Sequence, residues 1–513
     1  MHNNILKMNK ILVIKERKMT MKLLKKLMVV FVAVLMAMTL TSRVYAAPSD
    51  ASDTYKVSKV EVSGIKDGNT LKLYKIVQFN LDAATNEFSY EFAKGLPAEY
   101  DSIDELAALT PDGYTLAGAS DTIRIAADAL AYGIANGDIK PIGSAVSQTA
   151  ASNKATIENL PAGWYVAVVS GTNDTSFIYQ NMIIDAMPVV DDANNRYMPA
   201  ANVTFEVKHT TDTVTKTVGS DKVESTDKYS VGDKVPFEIT TNIPNYPNPS
   251  KVATFKITDT PNDLTDIIAE TGDDAMTVTV NGTAVKRGTD TYTVAQSGDG
   301  FVITFVKDYI LTHPGQPVIV SYKATIKPSA AITEAGLTAE NTVKITFNPN
   351  PNEDGTVEPN DTTKLYTYGV NVFKYEQDGE TKKKLTGAKF VLYKEDGTTV
   401  AGQETAVDSN GYVSWKGLAA GSYKLVETQA PAGYKLNSNP IPVTITKDAA
   451  KQDDRATANV TENYFLQVDV PNEKGATLPA TGGIGTTIFH IAGAALVLGA
   501  GILLISKKRM NNN

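Results

Sequence analysis

The sequence predicts an all-β protein made of tandem Ig-like β-sandwich domains between an export signal and a C-terminal membrane-spanning segment. Short apolar runs alternate with turns rich in Gly, Asn and Asp along the chain between the termini, as in strands of a sandwich. Both ends carry long uncharged apolar stretches. The region between them has room for about three domains of 100 to 200 residues each.

Residues 1–46 are predicted to be a signal peptide. Lys22, Lys25 and Lys26 precede the apolar run Leu27–Leu40, and small residues before Ala47 suit cleavage. The protein is therefore expected to be secreted.

The composition excludes several classes of function. A net charge of -8 and a pI near 5.3 argue against nucleic acid as a partner. The four histidines belong to no H-E-x-x-H motif, no G-x-S-x-G motif is present, and we expect no enzyme, no metal and no cofactor. An exported chain is free to form disulfides, yet this one has no cysteine, so any cross-link must use other chemistry.

The turn pattern divides the chain into units. We predict an N-terminal β-rich unit at 47–205, a β-sandwich at 206–350, a Pro- and Asn-rich linker at 351–364, and a second sandwich at 365–473. The Ala-rich stretch Ile123–Ile134 has helical spacing. Residues 474–513 form a separate tail.

The third unit places a charged or polar residue in line with apolar ones on each of three strands. Residues two apart in a strand share a face. Burying these polar side chains would be unfavourable unless they meet. We therefore predict that they cluster in the core: Lys374 with Val370 and Val372, Glu427 with Tyr423 and Leu425, and Asn472 with Leu466, Val468 and Val470.

The tail has three parts. The motif Leu478, Pro479, Ala480, Thr481 and Gly482 comes first. An uncharged run from Ile484 to Ser506 follows, and about 20 such residues span a bilayer as a helix. A basic cluster, 507–509, ends it, so the positive-inside rule places everything before the run outside the cell.

This order of L-P-x-T-G, apolar span and basic tail resembles the cell-wall sorting signal of Gram-positive surface proteins. The resemblance implies that a sortase cysteine attacks the Thr481 carbonyl and that an amine resolves the acyl-enzyme. A plain single-span membrane anchor is the alternative.

The segment Tyr423–Tyr434 resembles the E-box of Gram-positive pilins, in a domain like the B-type repeat of collagen adhesins (CnaB-like, SpaA-type). The resemblance implies an intramolecular isopeptide bond between Lys374 and Asn472, assisted by Glu427. Desolvation would leave the amine neutral and the acid protonated, as this reaction requires. The alternative is a Lys–Glu ion pair beside a hydrogen-bonded asparagine.

The second unit resembles the A-type collagen-adhesin domain of pilins (CnaA-like), in which aspartate replaces the glutamate. The resemblance implies a Lys216–Asn341 bond assisted by Asp259. Asn348 is the rival partner, but its parity places it on the opposite face of the strand. Separate surface polar residues on edge strands are the other interpretation.

The first unit lacks the assisting acid. Its segment Leu160–Val169 echoes 418–427, and Val169 stands where Glu427 stands. We predict no such bond in this unit.

Residues Asn202–Lys208 resemble the pilin motif, whose lysine accepts the acyl group of the next subunit. Side-chain parity predicts that Lys208 faces solvent. Glu206 and Val207 stand where the family usually has Tyr-Pro. Lys222 and Lys228 are the other candidates, and an ordinary surface lysine is the alternative.

Together these resemblances identify the chain as a major (backbone) subunit of a sortase-assembled pilus, or fimbrium, anchored to the cell wall and supporting adhesion. The implied partners are pilin-class and housekeeping sortases, identical subunits, minor pilins and peptidoglycan. The alternatives are a monomeric wall-anchored adhesin, a minor basal or tip pilin, and an enzyme displayed on the wall.

Overall fold

The structure is a computed structural model. It describes residues 56–81, 88–102, 121–172, 176–191, 196–198, 202–265, 267, 275–330, 337–452 and 464–474, together with positions 490–494, 496–498, 500–502, 504 and 507. The predicted signal peptide, 1–46, and the sorting motif, 478–482, lie outside the described residues.

The described part of the first unit contains a five-stranded sheet, a three-stranded sheet, two two-stranded sheets and one helix. The larger sheet has the order β3-β2-β6-β8 with β4 on β2, and the smaller has the order β11-β1-β5. The strands are β1 (Lys56–Ser63), β2 (Thr70–Leu81), β3 (Phe88–Phe92), β4 (Val146–Thr149), β5 (Lys154–Pro161), β6 (Gly163–Ser170), β7 (Phe177–Tyr179), β8 (Met182–Asp185), β9 (Val189–Asp191), β10 (Arg196–Met198), β11 (Val203–Glu206) and β12 (His209–Thr211), and the helix is α1 (Asp121–Asn136).

Every residue of β6 is buried. Trp164, Val166 and Val168 pack in the core that includes the helix residues of α1, whereas Tyr165 and Val169 pack in the core formed with the smaller sheet. Because alternate residues of a strand face opposite sides, a strand covered on both faces is apolar throughout. The helix contains the stretch with predicted helical spacing.

The second unit is a β-sandwich of two six-stranded sheets. One has the order β13-β15-β22-β18-β19 with β17 on β22, and the other β14-β24-β23-β16-β21-β20. The strands are β13 (Thr215–Val218), β14 (Ser225–Thr226), β15 (Lys234–Asn242), β16 (Phe255–Asn262), β17 (Leu264–Thr265), β18 (Thr277–Val280), β19 (Thr283–Ala284), β20 (Tyr292–Ser297), β21 (Gly300–Phe305), β22 (Pro317–Ile326), β23 (Leu337–Phe347) and β24 (Asn360–Tyr366), with a short helix α2 (Lys307–Thr312).

Strand β24 falls mainly in the stretch that composition predicts to be a linker, 351–364. It pairs antiparallel with β23, and Leu365 is buried in the core of the second unit. Proline and asparagine mark turns, but pairing is decided by the free edge of β23, which the sequence does not reveal.

The third unit is a smaller sandwich of two four-stranded sheets. One has the order β26-β25-β29 with β32 on β25, and the other β28-β27-β30-β31. The first and last strands of the unit, β25 and β32, pair in parallel. The strands are β25 (Tyr368–Asp378), β26 (Thr381–Lys384), β27 (Lys389–Lys394), β28 (Val400–Ala406), β29 (Tyr412–Leu418), β30 (Gly421–Gln429), β31 (Ile441–Ile445) and β32 (Phe465–Pro471), and a 3₁₀ helix covers Ala449–Gln452.

Direct hydrogen bonds join the second unit to the third. The Tyr368 hydroxyl donates to Asp227 Oδ2 at 2.9 Å, and the Val231 amide donates to the Gly417 carbonyl at 2.8 Å. Gly417 has a φ of +78°, and a Cβ there would lie 2.6 Å from the Val231 side chain. Only glycine allows the two backbones to approach this closely.

Contacts also join the first unit to the second. Lys72 Nζ lies 2.6 Å from Glu353 Oε1, and Asn350 Nδ2 donates to the Val169 carbonyl at 3.3 Å. The segment before β24 therefore helps to hold the first unit in place.

Asp212 lies between β12 and β13, where the first two units join, and it is 3% exposed. Burial raises the pKa of this carboxyl from 3.8 to about 7. Well below pH 3.8 the Asp212 carboxyl is protonated in both the folded and the unfolded protein. Between pH 3.8 and about 7 the unfolded chain has released this proton while the folded protein still holds it, so ionisation favours the unfolded state. We expect the free energy of unfolding to fall over this range by up to roughly 4 kcal/mol.

An Asp212→Asn variant should lose this pH dependence and exceed the wild type in stability at pH 8. Urea unfolding at pH 5 and pH 8 measures both effects, and Asp138→Asn, at an exposed carboxyl of the first unit, is the matched control. A wild type that is equally stable at the two pH values would contradict the expectation.

Candidate cross-linking sites and linkage lysine

Among the described residues, Lys216 and Lys374 are the lysines that the fold buries, with exposed fractions of 1% and 0%. They are the two lysines that the sequence proposes as internal cross-linking residues. Burial lowers the pKa of both amines, because desolvation penalises the charged form more than the neighbouring carboxylates favour it. Each amine is thereby brought closer to its nucleophilic form.

In the third unit, the structure brings the three proposed residues together. Lys374 Nζ donates to Asn472 Oδ1 at 2.7 Å and lies 2.9 Å from Glu427 Oε1. Glu427 is 2% exposed and Asn472 is 8% exposed. Asn472 Nδ2, the nitrogen that would leave, has no hydrogen-bond partner among the described residues.

The strand arrangement explains this meeting. Lys374 lies opposite Val470 in the parallel β25–β32 pair. Asn472 follows Val470 by two residues, and its backbone N–H donates to the Tyr375 carbonyl. Glu427 comes from β30 in the facing sheet, and its Oε2 accepts from the Asn437 amide at 2.8 Å. The acid therefore reaches across the core to a lysine and an asparagine that neighbouring strands hold side by side.

In the second unit, Lys216 Nζ makes a short contact with Asp259 Oδ2. Asn341 is linked to the same carboxyl through a tyrosine: its Nδ2 donates to the Tyr322 hydroxyl at 3.0 Å, and that hydroxyl donates to Asp259 Oδ2 at 2.7 Å. Lys216, Asp259 and Asn341 are each 1% exposed. Asp259 and Asn341 come from the adjacent strands β16 and β23, whereas Lys216 comes from β13 in the facing sheet.

The rival asparagine of the second unit is occupied elsewhere. Asn348 Oδ1 accepts from the Thr254 amide at 2.9 Å, and Asn348 Nδ2 donates to the Gly355 carbonyl at 2.8 Å. Both ends of its amide thus fix backbone near the end of β23. This geometry favours Asn341 as the partner of Lys216.

Tyr322 is the residue of this site that sequence reasoning missed. On β22 it alternates inward with Val320 and Ala324, so its pattern is that of any core aromatic. Its role depends on the hydroxyl, whose neighbours come from other strands. Parity alone could have placed the ring in the core, but not beside the amide.

Aromatic rings flank both buried amines. Lys216 Nζ lies 5.5 Å from the ring centroids of Phe237 and Tyr322, and Lys374 Nζ lies 5.4 Å from that of Phe390. Such rings exclude water from the site, which strengthens the electrostatic contacts within it.

The first unit holds Val169 where the third has its acid. Val169 is 3% exposed, and its neighbours in the core are apolar. In the described part of this unit, no lysine is buried. The arrangement that the other two units share is absent from these residues.

We therefore expect the first unit to be the part of the mature protein that proteases cut first and heat unfolds first. A cross-link that closes a loop of roughly 100 residues stabilises a domain by about 5 kcal/mol in the chain-entropy view, and the first unit would lack one. Limited proteolysis with mass mapping of the fragments tests this. Initial cuts within the second or third sandwich would contradict it.

Lys208 is exposed, as its parity predicts, while Phe205 and Val207 on the other side are each 3% exposed. It follows β11, which pairs in parallel with β1. Among the described residues Lys208 forms no ion pair, whereas Lys222 and Lys228 pair with Glu238 and Asp221. Of the three candidate lysines, Lys208 has the most available amine.

The C-terminal tail is described only in part. Its described positions, which lie between 490 and 507, are helical. No helix in the described part of the chain is long and apolar enough to cross a membrane. The run predicted to span the membrane, 484–506, includes positions outside the described set.

The described residues also contain no group of three acidic or histidine side chains placed to hold a metal ion.

Two protein-family models match the C-terminal part of the chain. Residues 370–459 match the model of a SpaA prealbumin-like fold domain, and residues 470–512 match that of the LPXTG cell wall anchor motif. The trypsin-resistant surface T6 protein of Streptococcus pyogenes serotype M6 is 23% identical over an alignment 543 residues long, gaps included. The alignment covers 88% of this chain and 95% of that protein.

Two solved structures share the fold. The T6 backbone pilin of serotype M6 Streptococcus pyogenes, a modular three-domain protein, has a TM-score of 0.61 at 20% identity, with 83% of this chain and 99% of that chain covered. The full-length major pilin SpaD from Corynebacterium diphtheriae has a TM-score of 0.53 at 17% identity, with 84% and 100% covered. The predicted tandem β-sandwich architecture and anchor motif are confirmed.

Proposed function

We infer that this chain is the major structural subunit of a covalently polymerised Gram-positive pilus, displayed on the cell wall through its C-terminal anchor. The observation that carries this inference is the combination of an LPXTG anchor match at 470–512 with three tandem units that align along nearly the whole length of a backbone pilin. Its role is structural, and the sortase acts on it as a substrate.

The link between subunits is proposed to join Thr481 to Lys208. A sortase cysteine attacks the Thr481 carbonyl, the bond to Gly482 breaks, and the Lys208 amine of the next subunit displaces the enzyme to form an amide. The exposure of Lys208 and its lack of an ion pair among the described residues support this role. The last subunit is passed by a housekeeping sortase to peptidoglycan, and minor pilins join the same fibre.

Two internal amide bonds are proposed, Lys216–Asn341 and Lys374–Asn472. In each, a neutral amine attacks the amide carbon, Asp259 or Glu427 assists the proton transfers, and ammonia leaves. The contacts of Lys374 with both of its partners, and of Lys216 with Asp259, support this chemistry. The bonds would tie strands together within each sandwich, in place of the disulfides that the chain lacks.

A monomeric wall-anchored adhesin would share the anchor and the internal bonds but would not polymerise. The distinguishing measurement is made on wall fractions of cells that also express a pilin sortase. Boiling in detergent should leave a ladder of species, and digestion should yield a branched peptide that joins Thr481 to Lys208. Wall-anchored monomer without any ladder would favour the adhesin.

A further inference from the structure

The second-unit site contains a hydroxyl group that has no counterpart among the described residues of the third-unit site. The Tyr322 hydroxyl lies between Asp259 Oδ2, to which it donates at 2.7 Å, and Asn341 Nδ2, from which it accepts at 3.0 Å. In the third unit, Lys374 contacts the amide oxygen directly, and Asn472 Nδ2 has no partner among the described residues. The second-unit site therefore contacts the nitrogen of its asparagine side chain, whereas the third-unit site contacts the oxygen.

The reaction requires one proton to move between two nitrogens. When the Lys216 nitrogen bonds to the Asn341 side-chain carbon it must lose a proton, and when the bond from that carbon to Nδ2 breaks, Nδ2 must gain one to leave as ammonia. An amide anion is too basic to leave without this proton. In the second unit, the lysine nitrogen and the Tyr322 hydroxyl both contact the same oxygen, Asp259 Oδ2.

We propose that Tyr322 carries the proton from Asp259 to the departing nitrogen of Asn341, so that lysine, aspartate, tyrosine and amide form one relay. Asp259 Oδ2 takes the proton that Lys216 releases, Tyr322 accepts it from Asp259, and the hydroxyl proton passes to Nδ2 as the bond to carbon breaks. The aspartate and the tyrosine end the reaction as they began it. This proposal rests on the proposed Lys216–Asn341 bond.

The surroundings suit this role. Tyr322 is 3% exposed, stacks on Phe237 at a centroid distance of 5.5 Å and meets Phe301 edge-on at 5.3 Å, so its ring is fixed. Burial and the adjacent Asp259 raise the pKa of the hydroxyl well above its usual value, so it stays protonated and can donate while it accepts. With the site closed to water, a protein group must supply the proton.

The test follows bond formation in the full chain during a pulse of cell-free synthesis. The fraction that has lost ammonia is sampled by intact mass, and each bond is located by peptide mapping. Tyr322→Phe keeps the ring and removes the hydroxyl, and it should slow the Lys216–Asn341 bond on the order of 10²-fold. The Lys374–Asn472 bond in the same molecules should form at the wild-type rate. Tyr292→Phe is the matched control, because Tyr292 is also 3% exposed in this unit, and its hydroxyl donates to the Val285 carbonyl and interacts with Arg287 instead of a residue of the Lys216 site.

A second variant separates a relay from a purely structural role. Placing 3,5-difluorotyrosine at position 322 keeps the hydroxyl but makes it more acidic, so a relay predicts an altered rate and a structural role predicts the wild-type rate. Rates equal to wild type in this variant, or in Tyr322→Phe, would overturn the relay. A wild type that never joins Lys216 to Asn341 would instead contradict the proposed bond itself.

Discussion

A Glu427→Ala variant is expected to fold its third unit without joining Lys374 to Asn472. Glu427 Oε1 lies 2.9 Å from the attacking nitrogen, inside a core from which water is excluded. Removing a general acid from such a position slows a reaction by 10²- to 10⁴-fold. Intact mass should therefore show the loss of one ammonia rather than two.

The same variant should be markedly less stable than the wild type. It lacks the cross-link, worth roughly 5 kcal/mol for a loop of about 100 residues, and it leaves Lys374 buried without its carboxylate. The melting transition of the third unit and its resistance to protease should both fall. A matched control is Glu376→Gln. Glu376 belongs to the same unit, and its carboxylate pairs with Lys474 near the surface.

Glu427→Gln distinguishes the chemistry from the packing. It keeps the size of the side chain but cannot supply an acidic proton, so the bond should again fail to form. Complete ammonia loss in both variants would refute the assisting role of Glu427.

A Lys208→Arg variant is expected to abolish the ladder of polymers while leaving wall-anchored monomer. The guanidinium keeps the positive charge but stays protonated, so it cannot attack the acyl-enzyme. Because Lys208 lies on the surface and forms no ion pair among the described residues, the substitution should leave the melting temperature and both internal bonds unchanged. The readout is the distribution of detergent-resistant species in wall extracts.

Lys222→Arg and Lys228→Arg are the controls for this experiment. Both lysines are exposed but paired with carboxylates, and both variants should still polymerise. Loss of the ladder in either, with a normal ladder in Lys208→Arg, would move the linkage to that lysine.

The sequence predicted much of the candidate sites because strand parity is a local property. Alternation placed Lys374 and Glu427 on inward faces without any knowledge of the partner strands, and it placed Lys208 outward. The Leu478–Gly482 motif and the basic tail could likewise be recognised without a structure, since sequence order alone defines them. The absence of cysteine also required no structure to interpret.

Only the tertiary structure decided what depends on which strands become neighbours. It paired β24 with β23 inside a stretch whose composition suggested a linker, and it occupied Asn348 with backbone contacts. It also placed the Tyr322 hydroxyl between Asp259 and Asn341. The physical reason is that alternation along a strand fixes which face a side chain takes, whereas sheet order and long-range register fix what it meets there.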